Sequence, residues 1–259
     1  MVVKSADRVI QIFEAVGSSE NGMSHGEISK ALAIPKGSLT FLLSNLVYRE
    51  YLTLDRVSKV YKLGSRLLVL AGRYLSSLDL VRVGRPVAQE LVKEINEDVE
   101  LAIMKNDEIL FVYKEECSQP LKYSIEIGDR APLYATGSGK AILANLPEKE
   151  IARYISSTTL APLRKNTITD AGALRRELED IRSKGLAYSR EEFQQGINAI
   201  AAPIFNLHGD VAGTIVVTLP IVRFNAEHKR FIEQRLLAAA KKISHQFGFE
   251  SSDREAAKG

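Results

Sequence analysis

Residues 24–63 read SHGEISKALAIPKGSLTFLLSNLVYREYLTLDRVSKVYKL, and the patterns in this stretch decide the fold of the amino-terminal part of the chain. Ser24 and Glu27 have the spacing of a capping box, which predicts the start of a helix. Pro35 disfavours helical geometry in the residue before it, so this helix ends ahead of the proline. A second helix follows, with leucines at 39, 42, 43 and 46 on one buried face. The stretch therefore predicts two helices joined by a tight turn.

Two short alternating segments follow the helices, at residues 51–54 and 60–63, with the polar residues 55–59 between them. Alternation of apolar and polar residues, with aromatic and β-branched members, predicts a β-hairpin. A helix pair with such a hairpin is the layout of a winged helix-turn-helix, whose second helix enters the major groove of duplex DNA. An ordinary helical hairpin inside a larger domain is the alternative interpretation.

The face of the second helix opposite its leucines carries small, hydrogen-bonding and aromatic side chains, which suits contact with base edges. The hairpin turn adds two cations that can meet phosphates. The predicted DNA-binding residues are Lys36, Gly37, Ser38, Thr40, Phe41, Ser44, Asn45, Tyr48, Arg49, Arg56 and Lys59. Two interpretations of Phe41 are open, namely contact with a thymine methyl in the groove and packing on the hairpin beside Tyr48.

Composition and charge fit a DNA-binding protein of two domains. The chain has 259 residues, enough for two separate cores, and 45% of them are hydrophobic. Residues 1–77 hold ten Lys or Arg against six Asp or Glu, whereas the remainder holds 25 against 26. Positive charge thus accompanies the DNA-reading pattern, as attraction to phosphate requires. The charged start and the short apolar runs predict a cytoplasmic protein with no membrane partner.

Residues that commonly carry catalysis or bind metals are scattered. The chain has one cysteine, Cys117, and four histidines without metal-ligand spacing, at 25, 208, 228 and 245. Glu191 and Glu192 are adjacent, so on a strand they would point to opposite faces, and nothing pairs them with a nucleophile. The sequence TGSGKA at 136–141 lacks the leading glycine and the final hydroxyl residue of a phosphate loop. We expect no enzyme activity, no cofactor and no metal site.

The same glycine-rich element precedes a helix that the pattern predicts from Lys140. Exposed N–H groups of Gly137, Ser138 and Gly139 at such a helix start would bind a small anion. An ordinary glycine-rich helix start is the alternative interpretation.

The remaining patterns predict an α+β fold with a mostly antiparallel sheet covered by helices. The first helix, at 5–16, is predicted to turn Val9, Ile10, Phe13 and Val16 inward, and an amphipathic linker helix at 65–77 needs a partner chain for its apolar stripe. Strands are predicted near 101–104, 109–113, 123–127, 197–205 and 211–219. Further helices are predicted at 79–96, 140–146, 148–156, 171–184 and 226–247. The predicted domains are 1–64, a linker at 65–78, and 79–250, followed by a flexible tail at 251–259.

Several long motifs make the chain resemble the IclR family of bacterial transcriptional regulators over almost its whole length. They are SADRVIQIFEAV, KALAIPKGSLTFLL and VYKLG in the amino-terminal part, then GDRAPLYATGSGKAILA at 128–144 and EEFQQGINAIAAPIFNLHGDVAGTIVVTLP at 191–220. The resemblance implies a winged helix-turn-helix domain, a linker helix and a GAF-like α/β effector domain. It also implies homodimers or homotetramers on palindromic DNA operators, controlled by small organic acids or aromatics.

The resemblance further implies an effector pocket under the glycine-rich element and the last strand pair. Together with the anion-binding glycines, the predicted effector-binding residues are Tyr123, Ala131, Gly137, Ser138, Gly139, Ser189, Ile197, Ala199, Val216 and Thr218. Ala199 and Val216 are less polar than their counterparts in some members, which favours an aromatic or longer-chain carboxylate. Two positions depart from the family pattern: Phe41 replaces a basic residue, and Glu50 replaces a glycine before the hairpin.

Two other functions are consistent with the residues. One is a small-molecule-binding enzyme with an accessory helix-turn-helix, against which the absence of a nucleophile–base pair argues. The other is a protein-interaction module, against which the positive charge of residues 1–77 argues.

Overall fold

The computed structural model describes residues 3–76, 79–121 and 125–249, and only the backbone of 74–76. The chain divides into two compact units, Met1–Ser77 and Leu78–Gly259. The predicted flexible tail at 251–259 lies outside the described residues.

The amino-terminal unit is a winged helix-turn-helix. Its elements are α1 (Lys4–Gly17), β1 (Met23–Ser24), α2 (His25–Ala31), α3 (Lys36–Tyr48), β2 (Leu52–Leu54), β3 (Val60–Leu63) and α4 (Ser65–Ser76). Strand β3 lies between β1 and β2 and pairs antiparallel with both. The predicted helix pair and hairpin are confirmed, and the two-residue strand β1 is an addition too short for periodicity to indicate.

The core of this unit follows from the helical periodicity of its apolar residues. Ser24 and Glu27 form the predicted capping box at the start of α2, with both reciprocal hydrogen bonds present. The leucines at 39, 43 and 46 are buried with Ile28 of α2 and with Ile12 and Val16 of α1, and the cluster also includes Ile34 and Leu52. Ile10 is 55% exposed, so its predicted inward position is wrong. Ile12, one turn before Val16, lies at the centre of the buried face instead.

The carboxy-terminal unit is an antiparallel sheet between helices. Its elements are α5 (Asp79–Ile95), β4 (Asp98–Lys105), β5 (Glu108–Glu115), β6 (Arg130–Pro132), α6 (Gly137–Leu143), α7 (Glu148–Ser157), α8 (Ala171–Lys184), β7 (Ala187–Arg190), β8 (Ile197–Phe205), β9 (Val211–Pro220) and α9 (Ala226–Gln246). The strand order is β6-β5-β4-β9-β8-β7, and every neighbouring pair is antiparallel. The predicted α+β class is confirmed.

The two faces of the sheet are covered by different helices. Helices α5 and α9 pack together and on the central strands, and α6 packs on β8 and β9. Register places Leu101, Ile215 and Ala202 side by side on one face, where a Cβ added to Gly84 of α5 would lie 2.6 Å from Leu101. The alternate residues of the same strands face α6, because side chains alternate along a strand. This second face holds the candidate site.

Two predicted elements are wrong. Helix α6 begins at Gly137, not Lys140, because Thr136 caps it by accepting a hydrogen bond from the N–H of Gly139 at 3.0 Å. Residues 125–127 of the strand predicted at 123–127 are not in a strand, and the other two lie outside the described residues. The short strands β6 and β7, at the sheet edges, were not predicted.

Candidate functional site

The outer face of α3 is the first candidate site. All eleven predicted DNA-binding residues are exposed, because the leucines of α3 turn toward the core. Phe41 and Tyr48 are 80% and 86% exposed. The alternative in which Phe41 packs on the hairpin is therefore wrong in this structure, since a packed ring would be largely buried.

Some polar groups on this face are held by neighbours. The Thr40 hydroxyl donates to the carbonyl of Lys36 at 2.9 Å and lies 3.0 Å from His25 Nε2. Arg49 Nε donates to Asn45 Oδ1 at 3.2 Å. His25 was missed because it lies fifteen positions before Thr40, on another helix, where no periodicity links the two. These contacts restrict the rotamers of side chains that would meet base edges.

The hairpin turn is shaped by Asp55. Its Oδ1 accepts hydrogen bonds from the N–H groups of Val57 and Ser58, at 2.8 and 3.3 Å. Hydrogen bonds from Ser58 and Val57 lower the pKa of Asp55. Lys59 has a φ of 58° and closes the turn in left-handed geometry. The turn thereby presents Arg56 and Lys59 to solvent, as contact with phosphate requires.

Glu50, where the family pattern has glycine, also has left-handed geometry, with a φ of 62°. A Cβ added to Gly64 would lie 2.1 Å from the Glu50 carbonyl oxygen, so the chain passes very close to this residue. The family glycine is explained by this backbone conformation, which glycine adopts without steric strain.

A cavity of about 40 Å³ between α6 and the sheet is the second candidate site. Seven of the predicted effector-binding residues line it: Gly137, Ser138, Ser189, Ile197, Ala199, Val216 and Thr218. Sequence reasoning missed the other lining residues, which are Phe111, Ile125, Thr136, Phe193 and Gln194. Phe111 alternates along a strand, but only the sheet register shows which side of the sheet it faces.

Three predicted members are not in this lining. Tyr123 lies outside the described residues. Ala131 is 2% exposed and belongs to the hydrophobic core. Gly139 packs against backbone, because a Cβ there would lie 2.2 Å from the carbonyl oxygen of Leu133. Its N–H donates to Thr136, so the prediction that it binds an anion is wrong.

Four of the described lining residues carry a hydroxyl group, and that of Thr136 caps α6. Ser138 is 2% exposed, and its Oγ has no hydrogen-bond partner in the described parts of the chain. Ser189 Oγ donates to the carbonyl of Ala135 at 3.2 Å. Thr218 Oγ1 donates to Oε2 of the buried Glu100 at 3.0 Å. Among the lining residues that the structure describes, none is a cation.

The segment 191–196, which contributes Phe193 and Gln194 to the cavity, is anchored by a buried ion pair. Lys140 of α6 is fully buried, and its Nζ lies 2.7 Å from Glu192 Oε2 and 3.2 Å from Glu177 Oε1. Burial raises the pKa of Glu192, while Lys140 opposes the shift. Glu191 and Glu192 do not lie on a strand, because both follow β7 in an irregular segment. The ammonium that a phosphate loop would direct at a nucleotide here binds protein carboxylates.

The described residues give little support for a reactive thiol, a metal site or a membrane-spanning helix. Cys117 is 3% exposed, and burial raises the pKa of its thiol. Among residues 3–76, 79–121 and 125–249, no cluster of His, Cys, Asp or Glu could hold a metal ion. Over the same ranges, no helix combines the length and apolar character needed to cross a bilayer.

Comparison with known proteins identifies the family of both domains. The family model of the IclR helix-turn-helix domain matches residues 5–56, and that of the bacterial transcriptional regulator IclR C-terminal domain matches residues 72–245. The HTH-type transcriptional regulator KipR of Bacillus subtilis (strain 168) is 32% identical, over 86% of this chain and 89% of its own length.

Two solved structures share the fold. The Thermotoga maritima IclR has a TM-score of 0.85 at 26% identity, and the match covers 95% of this chain and 99% of that one. An IclR homolog from Microbacterium hydrocarbonoxydans, complexed with 4-hydroxybenzoate, has a TM-score of 0.82 at 23% identity and covers 94% and 98%. The matched carboxy-terminal family and KipR are named as transcriptional regulators, which decides against the alternative of an enzyme. The chain is a ligand-responsive, DNA-binding transcriptional regulator and belongs to the IclR family.

Proposed function

We propose that this regulator binds a palindromic operator as a dimer or dimer of dimers, and that a small organic acid in the cavity under α6 sets its operator affinity. The observation that carries the effector half is Ser138, a buried hydroxyl without a hydrogen-bond partner among the described residues, in a cavity otherwise lined mainly by apolar groups. Burying a polar group without a hydrogen bond is unfavourable, so this position favours a ligand that supplies the missing contact.

The DNA half of the proposal is supported by the exposure of α3 and the hairpin turn. Ser38, Asn45 and Phe41 would read base edges, whereas Arg56 and Lys59 would bind phosphates. One recognition helix reads too few base pairs for useful specificity, so a pair of helices on a two-fold site is expected.

Size and polarity of the cavity bear on the effector class. About 40 Å³ is well below the roughly 300 Å³ or more of typical ligand pockets, so an effector must widen the cavity. The wall carrying Phe193 and Gln194 lies in an irregular segment, where adjustment is least costly. The apolar rings of Phe111 and Phe193 favour an aromatic or longer-chain carboxylate over a very small, highly charged acid.

Regulation then requires that the effector bind one conformation more tightly than another, since operator affinity changes only by that difference. Phe193 and Gln194, which follow the anchored Glu192, are the part of the cavity wall that would move. As a DNA-binding protein, the regulator is expected to act in the cytoplasm.

The test uses operator DNA selected from a random duplex library, with 4-hydroxybenzoate, benzoate and pyruvate as probes. We expect at least one acid to change operator affinity. Ser138→Leu fills the cavity and should abolish this response while operator binding without the acid stays near the wild-type value. Ser156→Leu, on the exposed side of α7, is the control. An unchanged response in Ser138→Leu would contradict the cavity as the effector site.

A further inference from the structure

We propose that Glu100, acting through Thr218, is a specificity-determining residue of the effector cavity and makes binding of an anionic effector depend on one bound proton. This inference rests on the proposed function, because it takes the cavity to be the effector site. Glu100 lies behind the lining residue Thr218, and no role for it was predicted from the sequence.

Register places Glu100 on the cavity side of the sheet. Glu100 pairs with Val216 of β9, and Val216 pairs with Ala201 of β8. Gly137 of α6 faces this row, since a Cβ there would lie 3.4 Å from the Cβ of Ala201. Glu100 therefore lies under α6, beside the strand segment that carries Val216 and Thr218 into the cavity wall.

The carboxyl group of Glu100 is fully buried and only half satisfied. Its Oε2 accepts a hydrogen bond from Thr218 Oγ1 at 3.0 Å, whereas Oε1 has no partner in the described parts of the chain. The charges that act on Glu100 are those of Asp98 on the same strand and Lys114, its cross-strand partner on β5. Lys114 Nζ lies 3.7 Å from Asp98 and 3.1 Å from Glu116. On α6, Lys140 is bound to Glu192 and Glu177. No ion pair among the described residues includes Glu100.

Burial without a direct ion-pair partner favours the neutral form of a carboxyl group. Desolvation raises the pKa of Glu100 to about 8; the Thr218 hydrogen bond and the positive charge of Lys114 oppose the shift, and the charge of Asp98 adds to it. At neutral pH the group therefore holds a proton in the interior.

The state of Glu100 decides what Thr218 offers to a ligand. A threonine hydroxyl has one proton, which it donates in one direction only. When Glu100 is ionised, Thr218 donates to it and turns lone pairs to the cavity. When Glu100 is neutral, its O–H donates to Thr218 Oγ1, and the O–H of Thr218 then points toward the cavity.

Protonation thus converts the cavity into an anion site. With Glu100 neutral, Ser138 and Thr218 both offer hydroxyl donors to a ligand carboxylate, and no negative charge lies behind them on Glu100. With Glu100 ionised, one donor is lost, and two buried like charges oppose each other. Above the pKa of Glu100, binding must take up one proton from solvent for each anion bound.

The expected pH dependence of acid binding follows from thermodynamic linkage between binding and the protonation of Glu100. The dissociation constant for an acid is nearly constant below the pKa of Glu100 and rises about tenfold per pH unit above it. Glu100→Gln keeps the shape and removes the titration, so its affinity should be independent of pH up to 9.5. Glu108→Gln, on the exposed part of β5, is the control and should behave as the wild type.

The experiment is isothermal titration calorimetry of the full chain at pH 6.5, 7.5, 8.5 and 9.5. The probes are benzoate and pyruvate at every pH, with benzamide and benzylamine as neutral and cationic matches of benzoate at pH 6.5. 4-Hydroxybenzoate is used only at pH 6.5 and 7.5, because its phenol ionises at higher pH. At pH 9.5, buffers of different ionisation enthalpy report proton uptake in the wild type. Because this measurement needs no variant, it tests the inference even when Glu100→Gln fails to fold.

The outcomes separate this inference from the proposed function. One proton taken up per acid at pH 9.5, absent in Glu100→Gln, supports the inference. Acid binding without proton uptake or pH dependence overturns the role of Glu100 and leaves the effector site standing. Preferential binding of the amine overturns both, as does a panel in which no acid binds at pH 6.5.

Discussion

At the scale of single residues, Glu50 shows how a sequence can depart from a pattern without losing the fold. Its left-handed φ of 62° places a side chain where the backbone favours glycine. Left-handed geometry costs a residue with a Cβ roughly 1 kcal/mol or more relative to glycine. The rest of the winged unit, with its buried leucine and isoleucine cluster, is stable enough to accept this.

We therefore predict that Glu50→Gly stabilises the amino-terminal unit by about 1 kcal/mol, which for a domain of this size raises the melting temperature by roughly 4–8 °C. Differential scanning calorimetry of the full chain measures the shift. Glu50→Ala keeps the Cβ and should gain little. Equal stabilisation by alanine and glycine would mean that the glutamate side chain, not the backbone, is responsible.

Glu100 gives a second prediction at this scale, and its sign follows from the raised pKa. Between the ordinary pKa of 4.5 and the folded-state pKa of about 8, the folded protein holds a proton that the unfolded chain has released. The free energy of unfolding must then fall as pH rises through this range. Glu100→Gln should melt higher than the wild type by a margin that grows from pH 5 to pH 8. Melting curves that stay parallel across this range would contradict a raised pKa.

At the scale of elements, the start of α6 depends on two glycines with different roles. A Cβ at Gly139 would overlap the backbone of Leu133, at 2.2 Å, whereas a Cβ at Gly137 would meet atoms of Ala201 and Ala199 at ordinary distances of 3.4 to 3.6 Å. Backbone cannot move aside as a flexible side chain can. The two positions therefore form a matched pair.

Gly139→Ala should destabilise the carboxy-terminal unit by about 1–3 kcal/mol or more, because the added carbon forces the 3-10 turn Leu133–Ala135 away from α6. Gly137→Ala should change stability by less than about 1 kcal/mol. Urea unfolding of the full chain, followed by circular dichroism, compares them. Similar stability of the two variants would show that the turn yields easily.

The recognition helix and the hairpin are separable elements in DNA binding. Arg56→Ala and Lys59→Ala should weaken binding to all sequences alike and lower the slope of affinity against salt by about 0.9 each. Asn45→Ala and Phe41→Ala should instead reduce the preference for operator over random DNA, by roughly 1–3 kcal/mol for Asn45. Fluorescence anisotropy at several salt concentrations measures both quantities. Equal losses on operator and random DNA for Asn45→Ala would refute its role in base reading.

At the scale of the whole molecule, the expected assembly depends on α4. Leu68 is 75% exposed, and Val69 and Leu70 are each 42% exposed, so this helix presents apolar surface that a second copy would cover. Leu68→Lys should shift the protein toward monomer and weaken operator binding with it. Val222→Lys, at a position of the carboxy-terminal unit that is 78% exposed, is a control for the loss of an exposed apolar residue. Multi-angle light scattering measures the mass of the protein and of its operator complex. A sequence-specific complex containing one monomer would contradict the proposal that the operator is bound by a dimer.

The sequence by itself determined the fold class, because helix caps, leucine spacing and strand alternation are local and do not depend on distant residues. The capping box at Ser24 and Glu27 and the strand pair Ile197–Phe205 and Val211–Pro220 lie essentially where their patterns predict. The exposed face of α3 followed from the same periodicity. Most residues of the cavity wall were predicted from the resemblance of sequence motifs.

Only the tertiary structure decided which polar groups meet. Lys140 and Glu192 are 52 positions apart, and Thr218 and Glu100 are 118 apart. No spacing rule links residues at such separations, since their contact depends on sheet register and on how α6 lies across the strands. The helix start at Gly137 was misplaced because the Thr136 cap and the close approach to Leu133 outweigh the weak helix propensity of glycine. Burial, which only the packed chain creates, then set the charge state of Glu100.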